Sequence, residues 1–242
     1  MKKIVVFTGA GVSADSGIAT FRDSDGLWAH YRIEDVCTPE ALARNRSQVI
    51  DFYNQRRREM LRAEPNDGHR AIVTLSTAEN IDLQVVTQNI DNLHERAAAQ
   101  LNLPLRVTHL HGELTKLRSS RDENATVALD GWEQKLDTRH PDGSLLRPFV
   151  VFFGESVPQL SRAIEIVSAA DVMIIVGTSL AVYPAASLVR YLRSDVPIYV
   201  VDPGQPSLAG IHNPVSHIKA NSAIGLPQLV DQLITTLSPA AL

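Results

Sequence analysis

The chain has 242 residues, a hydrophobic fraction of 44%, a charged fraction of 21% and a formal net charge of -4. That length holds one large α/β domain, or a core with a smaller insertion, and the composition is that of a globular protein with a real core. The mild negative charge argues against nucleic acid or an anionic membrane as partner, and one cysteine excludes an internal disulfide framework and cysteine-rich zinc sites.

The first apolar run, in MKKIVVFTGAG, is too short for a signal peptide and is interrupted by Gly9. No segment approaches the ~20 apolar residues of a membrane helix. The expected location is cytoplasmic. Further apolar runs follow at 83–87, 149–153, 172–177 and 198–202, all short, β-branched and nearly unbroken. Continuous apolar character suits strands buried on both faces, as in a parallel sheet. Helical spacing over 47–62, 68–78, 158–169 and 184–193 alternates with them, which predicts an α/β fold with an open, doubly wound parallel sheet. Residues 20–79 carry helices without a clear buried strand and read as an inserted helical subdomain. Residues 118–146 are polar, with Asp-Gly and Pro-Asp-Gly turns, and read as a small appendage such as a hairpin.

Candidate chemistry clusters where strands end. Gly9, Gly11 and Ala14 form G-x-G-x-x-A after the first strand, a pattern that fits a dinucleotide loop and equally a tight βα turn with no ligand. A common dehydrogenase places an acidic residue after its second strand. Here Asp23 and Asp25 fall in a polar loop, and Asp202, ending IYVVD, is the better candidate. That displacement argues against ordinary hydride transfer. Gln88, Asn89 and Asp91 bunch at a strand-to-helix junction, more polar groups than helix capping requires. In VTHLHGEL, His109 and His111 share a face of an extended segment. A metal there lacks a third ligand at suitable spacing, whereas one histidine at a strand end suits a general base. Tyr53 and Arg56 sit three apart on a predicted helix, and Arg56 opens an Arg-Arg-Arg run that reads on spacing alone as a solvated face. Cys37 has no histidine partner nearby and does not read as a catalytic thiol.

In order, the segments GAGVSADSGIATFR, TQNIDNLHERA, HLHGEL, RPFVVFFGE, GTSLAVYPAA and VVDP resemble the sirtuin family, from Lys3 to about Leu233. The resemblance implies a Rossmann-like NAD-binding core, approximately 1–27, 80–117 and 147–242, with a small subdomain built from about 28–79 and 118–146. It implies that Gly9, Ala10, Gly11 and Ser13, with Gly177, Thr178 and Ser179, hold the phosphates and ribose of NAD, and that Asp202 lies near the adenosine ribose. Phe21 and Arg22 match the loop over the nicotinamide end. Gln88, Asn89, Ile90 and Asp91 match the pocket for nicotinamide and its ribose, with Asn89 and Asp91 as fixed dipoles beside the reacting carbon. His111 matches the catalytic base. Val151, Phe152, Gly154 and Glu155, with Val182 and Tyr183, match the segments that hold an acyl-lysine peptide as an added strand.

The implied activity is removal of acyl groups from protein lysine, yielding nicotinamide and O-acyl-ADP-ribose. Within the family, Tyr53 and Arg56 match a signature for succinyl and malonyl groups, with weaker deacetylation. Cys37 stands where such relatives carry a small alanine. An NAD glycohydrolase or ADP-ribosyltransferase, and a non-catalytic NAD or ADP-ribose sensor, are the alternatives. The two cysteine pairs that hold a structural zinc in most relatives are missing: TKLRSSRDENA and DTRHPDGSLL stand in their places. The expectation is no zinc, with the small domain held by packing of Leu129, Trp132, Leu136 and Leu145.

Overall fold

A computed structural model describes residues 1–20 and 31–237, so Phe21 and Arg22 lie outside the described residues. The chain begins with β1 (Lys2–Thr8), α1 (Gly11–Ala14), α2 (Ile33–Val36), α3 (Pro39–Arg44), α4 (Arg46–Arg62) and α5 (Asp67–Ser76). It continues through β2 (Ile81–Thr87), α6 (Leu93–Gln100), β3 (Val107–His109), β4 (Gly112–Ser119), β5 (Thr126–Ala128) and β6 (Leu146–Val150). It closes with α7 (Leu160–Ser168), β7 (Val172–Val176), a 3₁₀ helix (Ala185–Tyr191), β8 (Ile198–Val201), β9 (Val215–Ile218) and α8 (Ser222–Leu237).

Six strands form one parallel sheet in the order β3-β2-β1-β7-β8-β9. Counting only these strands, the order is the Rossmann pattern, in which the chain reverses direction of winding between its first and fourth strands. The switch point therefore lies between β1 and β7. Both are almost fully buried, since helices cover both faces: α7 and the 3₁₀ helix on one, α5 and α8 on the other. Although α5 falls inside the span read as a helical insertion, its Ala71, Ile72 and Leu75 pack on the sheet with β1 and β2.

Three sequence readings are corrected. The run at 149–153 is not a strand of the parallel sheet: β6 pairs antiparallel with β4 in a separate three-stranded sheet, and Phe152 and Phe153 lie beyond its end. Its unbroken apolar character comes from packing beneath α4, where Val150 and Phe152 meet Phe52 and Tyr53. Within 184–193 the helical part is a 3₁₀ helix over Ala185–Tyr191 in place of a regular helix. Of the apolar side chains expected to pack the small domain, Leu129 and Leu145 are half-buried but Leu136 is not enclosed. Leu136 is 50% exposed, and half-buried Trp132 lies under the Arg58 guanidinium, 3.5 Å from the ring centroid.

Polar ties join the small sheet to α4 and to its own loops. Asn54 of α4 donates through Nδ2 to Gln134 O at 3.0 Å and accepts from Gln134 N at 2.9 Å. Gln134 Nε2 donates to Leu146 O at 2.7 Å, and Ser119, Asp142 and Ser144 form a further knot. Only Arg58 of the arginine run faces solvent: Arg56 and Arg57 are buried, and Arg57 donates to Leu114 O and to Asn54 Oδ1. Burial pushes the Arg57 guanidinium down to about 10.

Candidate active site

At the C-terminal ends of β1 and β7 the two turns interlock. Gly11 N donates to Gly177 O at 2.9 Å, and Gly9 N donates to Val176 O at 3.0 Å. A Cβ on Gly11 would lie 2.6 Å from Gly177 Cα, so only glycine permits this approach. Gly177 itself adopts φ +58. The glycines thus make room for each other as well as for a ligand, which spacing alone did not reveal.

These turns form one wall of a cavity of about 440 Å³. The β2–α6 turn, α4, and the segment after β6 form the rest. Every candidate site residue within the described residues lines it, from Gly9 and Asp202 to Tyr53 and Tyr183. Asn221 and Ser222 at the start of α8 also line it. No sequence signal marks them, because they reach the cavity only through the fold.

The β2–α6 turn is tied from several sides. Gln88 Nε2 donates to Thr178 Oγ1 at 3.0 Å, linking it to the β7 turn. Asn89 Nδ2 donates to Ser13 Oγ at 3.2 Å, and Ser13 Oγ donates to Asp91 Oδ2 at 3.1 Å. Asp91 Oδ1 accepts from Leu93 N, the first residue of α6, at 3.1 Å. Burial raises the Asp91 carboxyl above the ordinary range, opposed by the Leu93 and Ser13 hydrogen bonds. Asp202 likewise accepts from a backbone N–H two residues on, Gly204 N, at 2.7 Å.

The two histidines diverge. Bending at Leu110 and His111 ends the extended run, and only His111 lines the cavity. Its Nδ1 lies 2.9 Å from Gln88 O, so the neutral tautomer donates there and leaves Nε2 as the basic nitrogen. Burial holds His111 below its ordinary value, which keeps it neutral and able to accept a proton. His109 instead bonds Asn89 O at 2.9 Å and Glu95 Oε1 at 2.8 Å.

Tyr53 and Arg56 face the cavity from α4, and Tyr53 Oη donates to Cys37 Sγ at 3.4 Å. Burial pushes the Cys37 thiol up to about 11 and Tyr53 well above its ordinary value, so both stay neutral. Arg56 Nη1 reaches Glu59 Oε2 at 3.1 Å. Glu155 fixes the turn after β6: it accepts from Phe152 N at 2.8 Å and from Arg147 and Arg118. Val151 and Phe153, flanking Phe152, donate their N–H groups to His111 O and Cys37 O.

Among the described residues no three His, Cys, Asp or Glu side chains converge as metal ligands. Residues Glu133, Asp137, His140 and Asp142 do not fit a structural zinc. Asp142 is engaged by Ser119 and Ser144, and His140 Nδ1 by the Asp142 backbone N–H. No helix among the described residues is long and apolar enough to cross a membrane.

The glycine-lined switch point and its polar turns suit a dinucleotide, and the comparisons agree. Residues 9–184 match the Sir2 family. A protein of Aggregatibacter actinomycetemcomitans named NAD-dependent protein deacylase is 52% identical over 204 residues, covering 84% of this chain and 94% of that protein. One of the same name from Bacteroides thetaiotaomicron is 43% identical over 239 residues, covering 97% and 99%. Among solved structures, a Sir2 homologue bound to NAD aligns with TM-score 0.83 and 37% identity over 98% of this chain and 91% of its own. A mutant Sir2 homologue with ADP-ribose aligns with TM-score 0.86 and 36% identity over 98% and 94%. With its Rossmann order, its switch-point cavity and these relatives, the chain belongs to the Sir2 family of NAD-dependent enzymes.

Proposed function

We propose that this chain, an NAD-dependent protein deacylase, acts on lysines carrying acidic acyl groups such as succinyl and malonyl, with weaker deacetylation. The observation that carries this reading is the burial of Tyr53 and Arg56 along the same cavity as His111. A guanidinium offers a bidentate fork to a carboxylate, and a neutral tyrosine hydroxyl adds one hydrogen bond. Cys37 beside Tyr53 is slightly larger than the alanine such relatives carry there, and it narrows the space for the acyl chain.

In this reading NAD supplies the electrophilic ribose carbon and nicotinamide as leaving group, and the acyl group ends on ADP-ribose. The chain supplies the surroundings. Gly9, Ala10, Gly11, Ser13, Gly177, Thr178 and Ser179 border the phosphates, and Asp202 borders the adenosine ribose. Asn89 and Asp91, locked through Ser13, present fixed dipoles near the nicotinamide end, which favours developing positive charge without reorganisation. His111 Nε2 takes the proton of a ribose hydroxyl. The turn held by Glu155 and the segment at Val182 and Tyr183 both line the cavity, and in this reading they take the peptide by main-chain pairing.

The test is a mass-spectrometric assay with NAD and matched succinyl-lysine and acetyl-lysine peptides, following both peptide and O-acyl-ADP-ribose. Faster succinyl removal that collapses in Arg56→Met supports the reading. Equal or acetyl-favoured rates, unchanged in the variant, sink the acyl preference. Loss of NAD without acyl-ADP-ribose overturns deacylation itself.

A further inference from the structure

His109 and His111 hold consecutive carbonyls of one turn, at Asn89 and Gln88, yet their hydrogen bonds demand different protonation states. The His109 ring lies between two acceptors, Asn89 O and Glu95 Oε1. A neutral imidazole carries one N–H and satisfies one of them; only the imidazolium donates to both. The second oxygen of Glu95 is buried without a hydrogen-bond partner, so this carboxylate depends on a nearby cation. His111 has a single acceptor and needs no second proton.

We propose that His109 is a positioning residue for the NAD-dependent reaction: as an imidazolium clamped between Glu95 and the Asn89 carbonyl, it fixes the turn that presents Asn89 to the cavity. Asn89 is then held by its main chain as well as its side chain, since its N–H also donates to Thr87 Oγ1 at 3.0 Å. The motif HLH carries one charged and one neutral histidine, a division of labour that alternation along the sequence conceals. The inference rests on the roles proposed for Asn89 and His111.

Groups on each neighbouring element agree in sign. Glu95 of α6, Glu113 of β4 and Asp91 of the turn face His109 with negative charge. His94, the other basic group at hand, is buried and neutral. Burial pulls His109 down, but Glu95 and the Asn89 carbonyl outweigh it, so the ring titrates above its ordinary value while His111 titrates below. Activity that needs charged His109 is present below the His109 value and lost as pH rises through it. Activity that needs neutral His111 is lost as pH falls through its lowered value. The two together give a plateau with an acid and an alkaline limb.

The experiment is kcat/KM for NAD against pH in the full chain, for the parent, His109→Gln and Glu95→Gln. Expected for His109→Gln is a loss of roughly 10- to 100-fold near neutrality, with peptide KM unmoved and the alkaline limb gone. Glu95→Gln is expected to shift that limb to lower pH, which a purely structural role would not do. Parent-like kcat/KM with an unchanged alkaline limb in His109→Gln overturns the proposal. Should the variants fold poorly, ring ¹⁵N shifts of the parent decide: two protonated nitrogens on His109 at pH 7 support it, and a neutral ring overturns it. His111→Tyr separates the underlying reading, because full acyl transfer by that variant would refute the base assignment independently of the His109 ring shifts.

Discussion

Arg56 Nη1 lies 3.1 Å from Oε2 of Glu59, one turn further along α4, so the guanidinium proposed to receive an acyl carboxylate already faces a carboxylate of its own chain. Arg56 is the more enclosed partner, at 10% side-chain exposure against 32% for Glu59. An incoming succinyl group must share or displace this contact. Glu59→Gln keeps the size and removes the competing charge. Its expected effect is a rise in the succinyl-to-acetyl ratio of kcat/KM by about fivefold, equivalent to about 1 kcal/mol for a partly exposed pair. A ratio that stays level or falls in the matched-peptide assay would show that Glu59 orients Arg56 and does not compete with the substrate.

Interlocked glycines make a sharper steric prediction. In Gly11→Ala the new methyl meets Gly177 Cα at 2.6 Å and Gly177 O at 2.9 Å, both backbone atoms of a turn that cannot swing aside. Overpacking of this kind costs roughly 1–3 kcal/mol. NAD binding should weaken in the same variant, because the two displaced turns are those proposed to border the phosphates. Calorimetric titration with NAD alongside thermal unfolding checks this, and parent-like values for both would contradict the contact.

The small sheet offers a test of the expectation that no zinc holds it. Asn54→Ala removes the paired hydrogen bonds to Gln134 and the acceptor for Arg57 Nη1, all in a buried setting. The expected destabilisation is roughly 1–3 kcal/mol. Prolonged chelation, by contrast, should leave activity and thermal midpoint unchanged, and metal analysis of untreated protein should find no stoichiometric zinc. A midpoint that drops on chelation would overturn the metal-free reading.

How much of this was legible depends on the range of the interactions. β1, β2, β7 and β8 announced themselves because burial on both faces demands continuous apolar residues. β9 did not, since Val215–Ile218 is a partly exposed edge containing serine and histidine. FVVFF carried the same pattern as a parallel strand, and periodicity has no means of separating a sheet core from a strand end packed under α4. The glycine turn, TQNID and HLH were readable as clusters at strand ends. The Asn54–Gln134 pair, 80 residues apart in sequence, was not, because neither side chain means anything until the fold joins them. The arginine run read on spacing alone as solvated for the same reason: Arg57 donates through Nε to Leu114 O and through Nη1 to Asn54, partners that spacing does not show.

Acid should destabilise the protein through a histidine that does not line the cavity. His69 is fully buried at the third position of α5, where its Nδ1 accepts from Asn66 N at 3.3 Å while Asn66 Oδ1 accepts from the Gly68 and His69 N–H groups. This reciprocal cap needs the lone pair on Nδ1, and the ring also lies 5.0 Å from that of His94, so a proton on His69 breaks the cap and charges the core. Burial lowers His69 from 6.5 to about 3. The unfolded chain therefore takes up the proton first: the contribution is complete above the unfolded value of 6.5 and is lost as pH falls from there towards 3. His69→Gln retains an acceptor for Asn66 N and cannot titrate. Its thermal midpoint should decline less than the parent's between pH 7.5 and pH 4.5, with His94 still contributing part of the slope. An equal decline in the two proteins, followed by scanning calorimetry, would place the acid sensitivity elsewhere.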